Sequence, residues 1–256
     1  MLASVSGPLR SSHRFPKCYN HFVLGINGCG TDMGPQYPSP LRRVYHFTPP
    51  EFALENLQRR HLKVSRFSQC NDPFELASFD IGNKPIRRRF LEWLADMDKH
   101  CGLLCFCRTW RNPVMWAHYA GKHSGVCYGF DVDPSIFVDV RYVSQRLYPN
   151  LSPDDFFEHI GEDQMVDLFA TKFIHWSYEE EVRLLVSFSE QVSKGKTVFH
   201  PFSEKMKLRE VIVGPQSDIK ISEVRKIVPD EHVDVFKSRL AFKRFEIVRQ
   251  KDESLR

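Results

Sequence analysis

The chain has 256 residues and a mass of 30.0 kDa, with 42% hydrophobic and 27% charged residues, a composition that is typical of globular proteins and excludes wholesale disorder. The net charge of +4 is too small to indicate a nucleic-acid-binding protein by itself. No apolar run reaches the roughly 20 residues of a membrane-spanning helix, so we expect no membrane partner. The seven cysteines indicate free thiols in a reduced, cytoplasmic setting.

Residues 1–41 are rich in Ser, Pro and Gly without a sustained period, which predicts a poorly ordered leader or a misassigned start codon. We expect residues 42–250 to form a single domain. In its first half, hydrophobic spacing and turn residues predict strands over 43–48, 62–65, 103–107, 125–131 and 138–143, and helices over 50–60, 84–100 and 113–121.

In the second half, the same signals predict helices over 154–173 and 217–227, strands over 181–188, 197–201 and 209–213, and a terminal hairpin from 232–241 and 243–249. Strands and helices are interspersed without strict alternation. This order predicts a mixed α+β domain rather than a doubly wound sheet.

Three polar islands interrupt apolar sequence. The first holds His46 and Thr48, which share one face of the opening strand. A histidine there can donate to a ribose or phosphate oxygen, although a structural role is the ordinary one for a lone strand histidine. The second, Met115 to Ala120, can provide aromatic faces for a planar ligand or can simply pack in the core.

The third island contains Glu179, Glu181 and Arg183. On an extended segment these side chains share a face, with the two carboxylates roughly 6.5 Å apart. Such a pair can orient a sugar hydroxyl or stabilise a developing cation, with Arg183 offsetting the repulsion between the carboxylates. The alternative is a charged lip on an exposed strand, where Arg183 simply pairs with Glu181.

Other chemistries have less support. There is no CxxC pair, HExxH, GxGxxG or P-loop sequence, so we expect no metal, and the dinucleotide-fold and P-loop alternatives have no basis. A cysteine nucleophile with a histidine partner has no local motif. The basic stretches Arg87 to Arg89 and Lys237 to Lys251 predict solvated faces, and contact with an anionic partner is the alternative.

The order of the motifs resembles a prokaryotic family known only as a domain of unknown function. Its pattern runs YHYT, FNDPFE, a cysteine or serine strand, MWAHYA, GxxxGF, KxxxWxxExExR, VxxVxxG and a final hairpin. The matching stretches of this chain fall within residues 43–248 and lie at 45–48, 71–75, 105–107, 115–120, 125–131, 172–183 and 211–214.

The order of His, Tyr and Glu is also similar to the His-Tyr-Glu class of ADP-ribosyltransferases. That resemblance implies mostly antiparallel sheets with flanking helices, and NAD as substrate. It implies that His46 holds the adenosine-side ribose, Tyr119 stacks on nicotinamide and Glu181 contacts the nicotinamide-side ribose, with Glu179 completing an ExE pair. Further NAD-binding positions would be Thr48, Ser65, Asn71, Asp72, Trp116, His118 and Arg183.

The resemblance implies an enzyme that cleaves NAD and transfers ADP-ribose to a macromolecular acceptor, protein or nucleic acid, or to water. It also suggests a toxin or phage-defence setting. Two alternatives stay open: a non-catalytic nucleotide-binding or sensor domain, and a metal-dependent nuclease that uses the carboxylates.

Overall fold

The computed structural model describes residues 40–147, 162–188 and 197–252. The predicted leader therefore lies outside the described residues, apart from its last two positions.

An eight-stranded sheet forms the centre of the described chain, in the order β12-β11-β10-β4-β1-β3-β8-β5. All neighbours are antiparallel except β10 and β11, which are parallel. Two further two-stranded sheets pair β2 with β9 and β6 with β7. The strands are β1 (Arg42–Thr48), β2 (His61–Val64), β3 (Cys101–Cys107), β4 (Val126–Val132), β5 (Val138–Asp139), β6 (Arg141–Val143), β7 (Thr171–Phe173), β8 (Glu181–Ser187), β9 (Val198–Pro201), β10 (Met206–Val213), β11 (Asp234–Leu240) and β12 (Ile247–Arg249).

Five α-helices accompany these sheets within the described residues: α1 (Pro50–Arg59), α2 (Lys84–His100), α3 (Pro113–Tyr119), α4 (Glu162–Phe169) and α5 (Ile221–Ile227). Local sequence determines where two of them begin. The Asn83 side chain caps α2, and the Asn112 side chain accepts a hydrogen bond from the Val114 N–H at the start of α3. A proline stands in the first turn of each, where its missing N–H costs nothing.

The central strands β3 and β4 are buried along almost their whole length, because the sheet carries apolar clusters on both faces. Glycines permit close approaches of β4, and of the residue before it, to the neighbouring strands β1 and β10. A Cβ on Gly125 would lie 2.1 Å from the Thr48 carbonyl oxygen, and one on Gly129 would lie 2.7 Å from a Glu210 carboxylate oxygen. The close approach to the Thr48 carbonyl explains why a glycine is needed at position 125, the first residue of the GxxxGF stretch.

Three predicted boundaries are wrong. The predicted helix over 154–173 is helical only to Phe169 within its described part, since Thr171–Phe173 pair with β6 as a parallel strand. The predicted strand over 138–143 divides at Val140, and its halves β5 and β6 join different sheets. The last predicted helix begins at Ile221 rather than at 217, since Ser217 and Ile219 form a turn instead.

The predicted α+β class is confirmed, with a mostly antiparallel main sheet and several helices. The terminal hairpin is also confirmed, with β11 and β12 antiparallel. None of the described helices combines the length and the apolar character that crossing a membrane requires.

Candidate functional site

A cavity of about 590 Å³ opens beside strands β1, β3 and β8 and helix α3, which is within the usual range for small-molecule sites. Among the predicted site residues, His46, Tyr119, Glu179 and Glu181 all line it. They come from four separate elements of the chain. The sheet and α3 thus bring together side chains that are up to 135 positions apart in sequence.

The His46 ring is fixed by the neighbouring strand. Its Nδ1 donates a hydrogen bond to the Cys105 carbonyl oxygen at 2.9 Å, and the ring packs 5.5 Å from the Phe106 ring. Burial lowers the pKa of His46. The imidazole is therefore neutral at pH 7, and with its proton on Nδ1 the Nε2 atom is left as an acceptor for a ligand hydroxyl.

Two carboxylates share one buried lysine. Lys172 Nζ lies 2.6 Å from a Glu179 oxygen and 3.1 Å from a Glu181 oxygen, and the three side chains are at most 4% exposed. Glu181 begins β8 as predicted, but Glu179 ends a 3₁₀ helix, and Glu180 between them has a positive φ of 43°. The two carboxylates therefore do not lie on one continuous extended segment, and Lys172 rather than strand alternation brings them together.

Arg183 binds the Glu181 carboxylate from the protein interior. Its guanidinium makes two bonds of 2.9 Å to Glu181, bonds of 2.6 and 3.2 Å to Glu75, and one of 2.8 Å to the Phe169 carbonyl. Arg183 is 1% exposed and does not line the cavity. The predicted ligand contact is therefore corrected to a positioning role. The alternative pairing of Arg183 with Glu181 is present, but it is buried rather than on an exposed lip.

The network holds three carboxylates, Glu75, Glu179 and Glu181, against the two cations Lys172 and Arg183. Burial opposes ionisation of Glu181, but the charges of Arg183 and Lys172 prevail and lower its pKa to about 2. Burial raises the pKa of Glu179. The arrangement thus pairs a permanent anion with a carboxyl group that binds a proton more readily, a division of roles that suits catalysis.

Tyr119 connects this network to the loop before α2. Its hydroxyl donates to Glu179 and accepts a 2.8 Å hydrogen bond from Asn71 Nδ2. Burial and the Glu179 charge raise the pKa of Tyr119. The phenol is therefore a hydrogen-bond donor to Glu179, in addition to any stacking by its ring.

Of the other residues predicted to contact NAD, four line the cavity and two do not. Thr48, Ser65, Asn71 and His118 line the cavity, as do His46, Tyr119, Glu179 and Glu181. The Thr48 hydroxyl is buried beside that of Tyr128 and makes no hydrogen bond of normal geometry.

Two predicted contacts are corrected. Trp116 is fully buried, donates from Nε1 to the Trp110 carbonyl at 2.6 Å and packs edge-on against Phe47, so its ring serves the core rather than a ligand. Asp72 is 3% exposed and accepts a 2.8 Å hydrogen bond from the Phe74 N–H. This hydrogen bond is that of an Asx turn, in which an aspartate side chain accepts from the N–H two residues later, and it shapes the loop that contains Asn71.

Several lining residues were missed by sequence reasoning. Lys172 belongs to the KxxxWxxExExR stretch and Glu75 to the FNDPFE stretch. The signal that could have identified them is that both are charged residues of the same set of motifs that contains Glu181. Three cysteines also line the cavity, Cys70, Cys105 and Cys107. Burial raises the pKa of each, that of Cys70 to about 12. They are neutral thiols, which argues against a thiolate nucleophile.

No group of three or more metal-ligating side chains occurs in the part of the chain that the structure describes. Glu181 and Glu179 are instead bound by Lys172 and Arg183. These cations occupy the carboxylate oxygens that a divalent ion would need and oppose its charge.

The lowered pKa of Glu181 predicts a pH-dependent stability. A carboxyl whose pKa falls from 4.5 unfolded to about 2 folded stabilises the fold fully above pH 4.5, and this contribution is lost as the pH falls towards 2. We expect the stability advantage of the wild type over Glu181→Gln to shrink by about 2 kcal/mol between pH 6 and pH 3. Urea denaturation of both proteins at each pH measures it, and an advantage that does not change with pH would contradict it.

Comparisons with known proteins support the first resemblance. A family model described as a protein of unknown function, DUF2971, matches residues 115–184. This match confirms the similarity to an uncharacterised family over a stretch that includes Tyr119, Lys172, Glu179, Glu181 and Arg183. No curated protein and no solved structure matches the chain. The comparisons assign no activity, and the similarity to ADP-ribosyltransferases stays a hypothesis.

Proposed function

We propose that the protein has an ADP-ribosyltransferase-like fold, cleaves NAD, and transfers ADP-ribose to a macromolecular acceptor or to water. One observation carries the proposal: a neutral imidazole, a phenol and a pair of unequal carboxylates line a single cavity of about 590 Å³. His46, Tyr119, Glu179 and Glu181 are the residues that the resemblance assigns to NAD.

The cavity also suits the rest of NAD. Lys63 lines it from β2, where its ammonium group can balance the pyrophosphate. Phe52 and Phe199 line it with about half of each side chain exposed, so they offer flat apolar surface to an adenine ring. In the proposed complex, Glu179 and Glu181 face the cationic nicotinamide ribose, and Lys63 with the two phenylalanines faces the anionic adenosine half.

The chemistry follows from these charges. The bond between nicotinamide nitrogen and ribose C1′ breaks, and the ring departs with the electron pair as neutral nicotinamide. The positive charge passes to the ribose, where the permanent anion of Glu181 stabilises it and orients the 2′-hydroxyl. An acceptor oxygen or nitrogen, or water, then bonds to C1′ and releases a proton. Glu179 is the base for that proton, because its pKa is raised and the Tyr119 hydroxyl holds it in place.

The direct test incubates purified protein with NAD and measures nicotinamide and ADP-ribose by chromatography. We expect nicotinamide release that is insensitive to EDTA. Release of nicotinamide without ADP-ribose would indicate transfer to an acceptor, including the protein itself. No release with water, protein or nucleic acid as acceptor would contradict the proposal, and nuclease activity that EDTA abolishes would support the metal-dependent alternative.

A variant of His46 tests ground-state binding. Since the imidazole is assigned to the distant, non-reacting ribose, His46→Ala should raise KM for NAD about tenfold, with little change in kcat. Steady-state kinetics measures both constants. His232→Ala is a matched control, because the His232 side chain is exposed and does not line the cavity. A fall in kcat with unchanged KM for His46→Ala would place the imidazole at the reacting centre instead.

One observation favours the non-catalytic alternative. Glu181 is already bound by two cations in a buried network, which is also what a purely structural carboxylate would show. In that case NAD or a related nucleotide would raise the melting temperature without turnover. Thermal stabilisation combined with the absence of nicotinamide release would therefore support a sensor domain.

A further inference from the structure

The loop between β11 and β12 presents two phenylalanines to solvent. Phe242 and Phe245 are 89% and 101% exposed, more than any other large hydrophobic side chain that the structure describes. Exposed aromatic side chains of this kind commonly mark an interaction site. The cavity residues discussed above do not include them, so they have no part in the proposed NAD chemistry.

The loop is nevertheless ordered by specific contacts. The Ala241 N–H donates to the Glu246 carbonyl at 2.9 Å, and Glu246 forms ion pairs with Arg244 and Arg111. The hairpin thus holds both phenyl rings outside the core in a defined conformation. Pre-organisation of this kind lowers the entropy cost of binding a partner.

The charge of the hairpin indicates an anionic partner. The loop, residues 239–245, carries Arg239, Lys243 and Arg244 and no acidic residue. Lys243 and Arg244 lie between the two phenylalanines, and Lys243 forms no ion pair with another described residue. Cations therefore alternate with aromatic rings along the loop.

We propose that this hairpin loop, residues 239–245, binds single-stranded nucleic acid. The Arg239 guanidinium lies 4.3 Å from the centre of the Phe242 ring, which leaves the opposite face of that ring for a base, and Phe245 offers a second ring. Bases stack on such rings while Lys243 and Arg244 contact the phosphates between them. This binding does not depend on the cavity or on NAD.

The geometry favours nucleic acid over an anionic membrane. The two middle residues of the loop are charged, and Phe242 carries a guanidinium on one face. Inserting the loop into lipid would bury these charges in hydrocarbon, which is costly. A single strand of nucleic acid matches this loop, because its phosphates can contact the cations while its bases stack on the phenyl rings.

Fluorescence anisotropy of the full chain with a labelled oligo(dT) of roughly 12 nucleotides tests the proposal. We expect binding that weakens as salt rises. The double variant Phe242→Ser, Phe245→Ser should reduce affinity by at least about tenfold, and Lys243→Glu should reduce both affinity and the salt dependence. These side chains are exposed, so the melting temperature should be unchanged.

Matched controls lie on the exposed face of α2. Leu91→Ser and Arg88→Glu remove an exposed apolar group and a cation elsewhere on the surface, and both should bind like the wild type. Absence of binding at low salt, or equal losses in the control and hairpin variants, would overturn the proposal. Binding to phosphatidylserine vesicles but not to oligo(dT), lost in the hairpin variants, would also overturn it and assign a membrane surface instead. Nicotinamide release should be the same in all these variants, so failure of either proposal is distinguishable from failure of the other.

Discussion

Replacing Glu181 by glutamine should reduce the rate of nicotinamide release about 100- to 1,000-fold. The carboxylate is the permanent anion of the site, with a pKa lowered to about 2 by Arg183 and Lys172. Glutamine keeps its size but removes the charge that stabilises the positive ribose in the transition state. Because the charge matters most in that state, kcat should fall much more than KM rises.

Glu180→Gln is the matched control for this variant. Glu180 stands between the two site carboxylates in sequence, but its side chain is exposed and does not line the cavity. The same substitution there should leave kcat within about twofold. Single-turnover measurements of nicotinamide release compare the two variants, with circular dichroism to verify folding. Equal activity of Glu181→Gln and the wild type would remove Glu181 from the chemistry and favour the sensor alternative.

Local sequence patterns predicted much of the fold because they act over short distances. The helix α2 was predicted with both of its ends, since Pro85 stands in its first turn and apolar residues recur at helical spacing as far as Met97. The terminal hairpin was equally local. The division of residues 138–143 was not predictable, because it depends on pairing with β8 and β7, which lie far along the chain.

The candidate site was predictable only in part, for a related reason. Residue types and their order identified His46, Tyr119 and the carboxylates. Burial, however, depends on the whole fold, and it separated Trp116 and Arg183 from the cavity. Strand alternation could not predict Lys172 between Glu179 and Glu181, since that contact is made across a turn with a positive φ.

The buried guanidinium of Arg183 leads to the largest expected effect on stability. Arg183→Leu should lower the free energy of unfolding by about 3–5 kcal/mol, because it leaves the buried carboxylate of Glu75 without its ion-pair partner and Glu181 with Lys172 alone. Chemical denaturation at pH 7 measures the loss. Leucine fills much of the space, so the cost reports the uncompensated charge more than an empty cavity.

Arg42→Leu provides the matched control, since Arg42 also makes a bidentate ion pair, with Asp139. That pair is partly exposed, and Asp139 keeps Arg108 as a second partner, so the loss should be below about 1 kcal/mol. Adding Glu75→Gln to Arg183→Leu should recover part of the stability, because it removes the orphaned charge. Equal losses for Arg42→Leu and Arg183→Leu, or no recovery in the double variant, would show that Arg183 contributes by packing rather than by holding the two carboxylates. Such a result would also remove the physical basis for the low pKa of Glu181, on which its proposed role as a permanent anion depends.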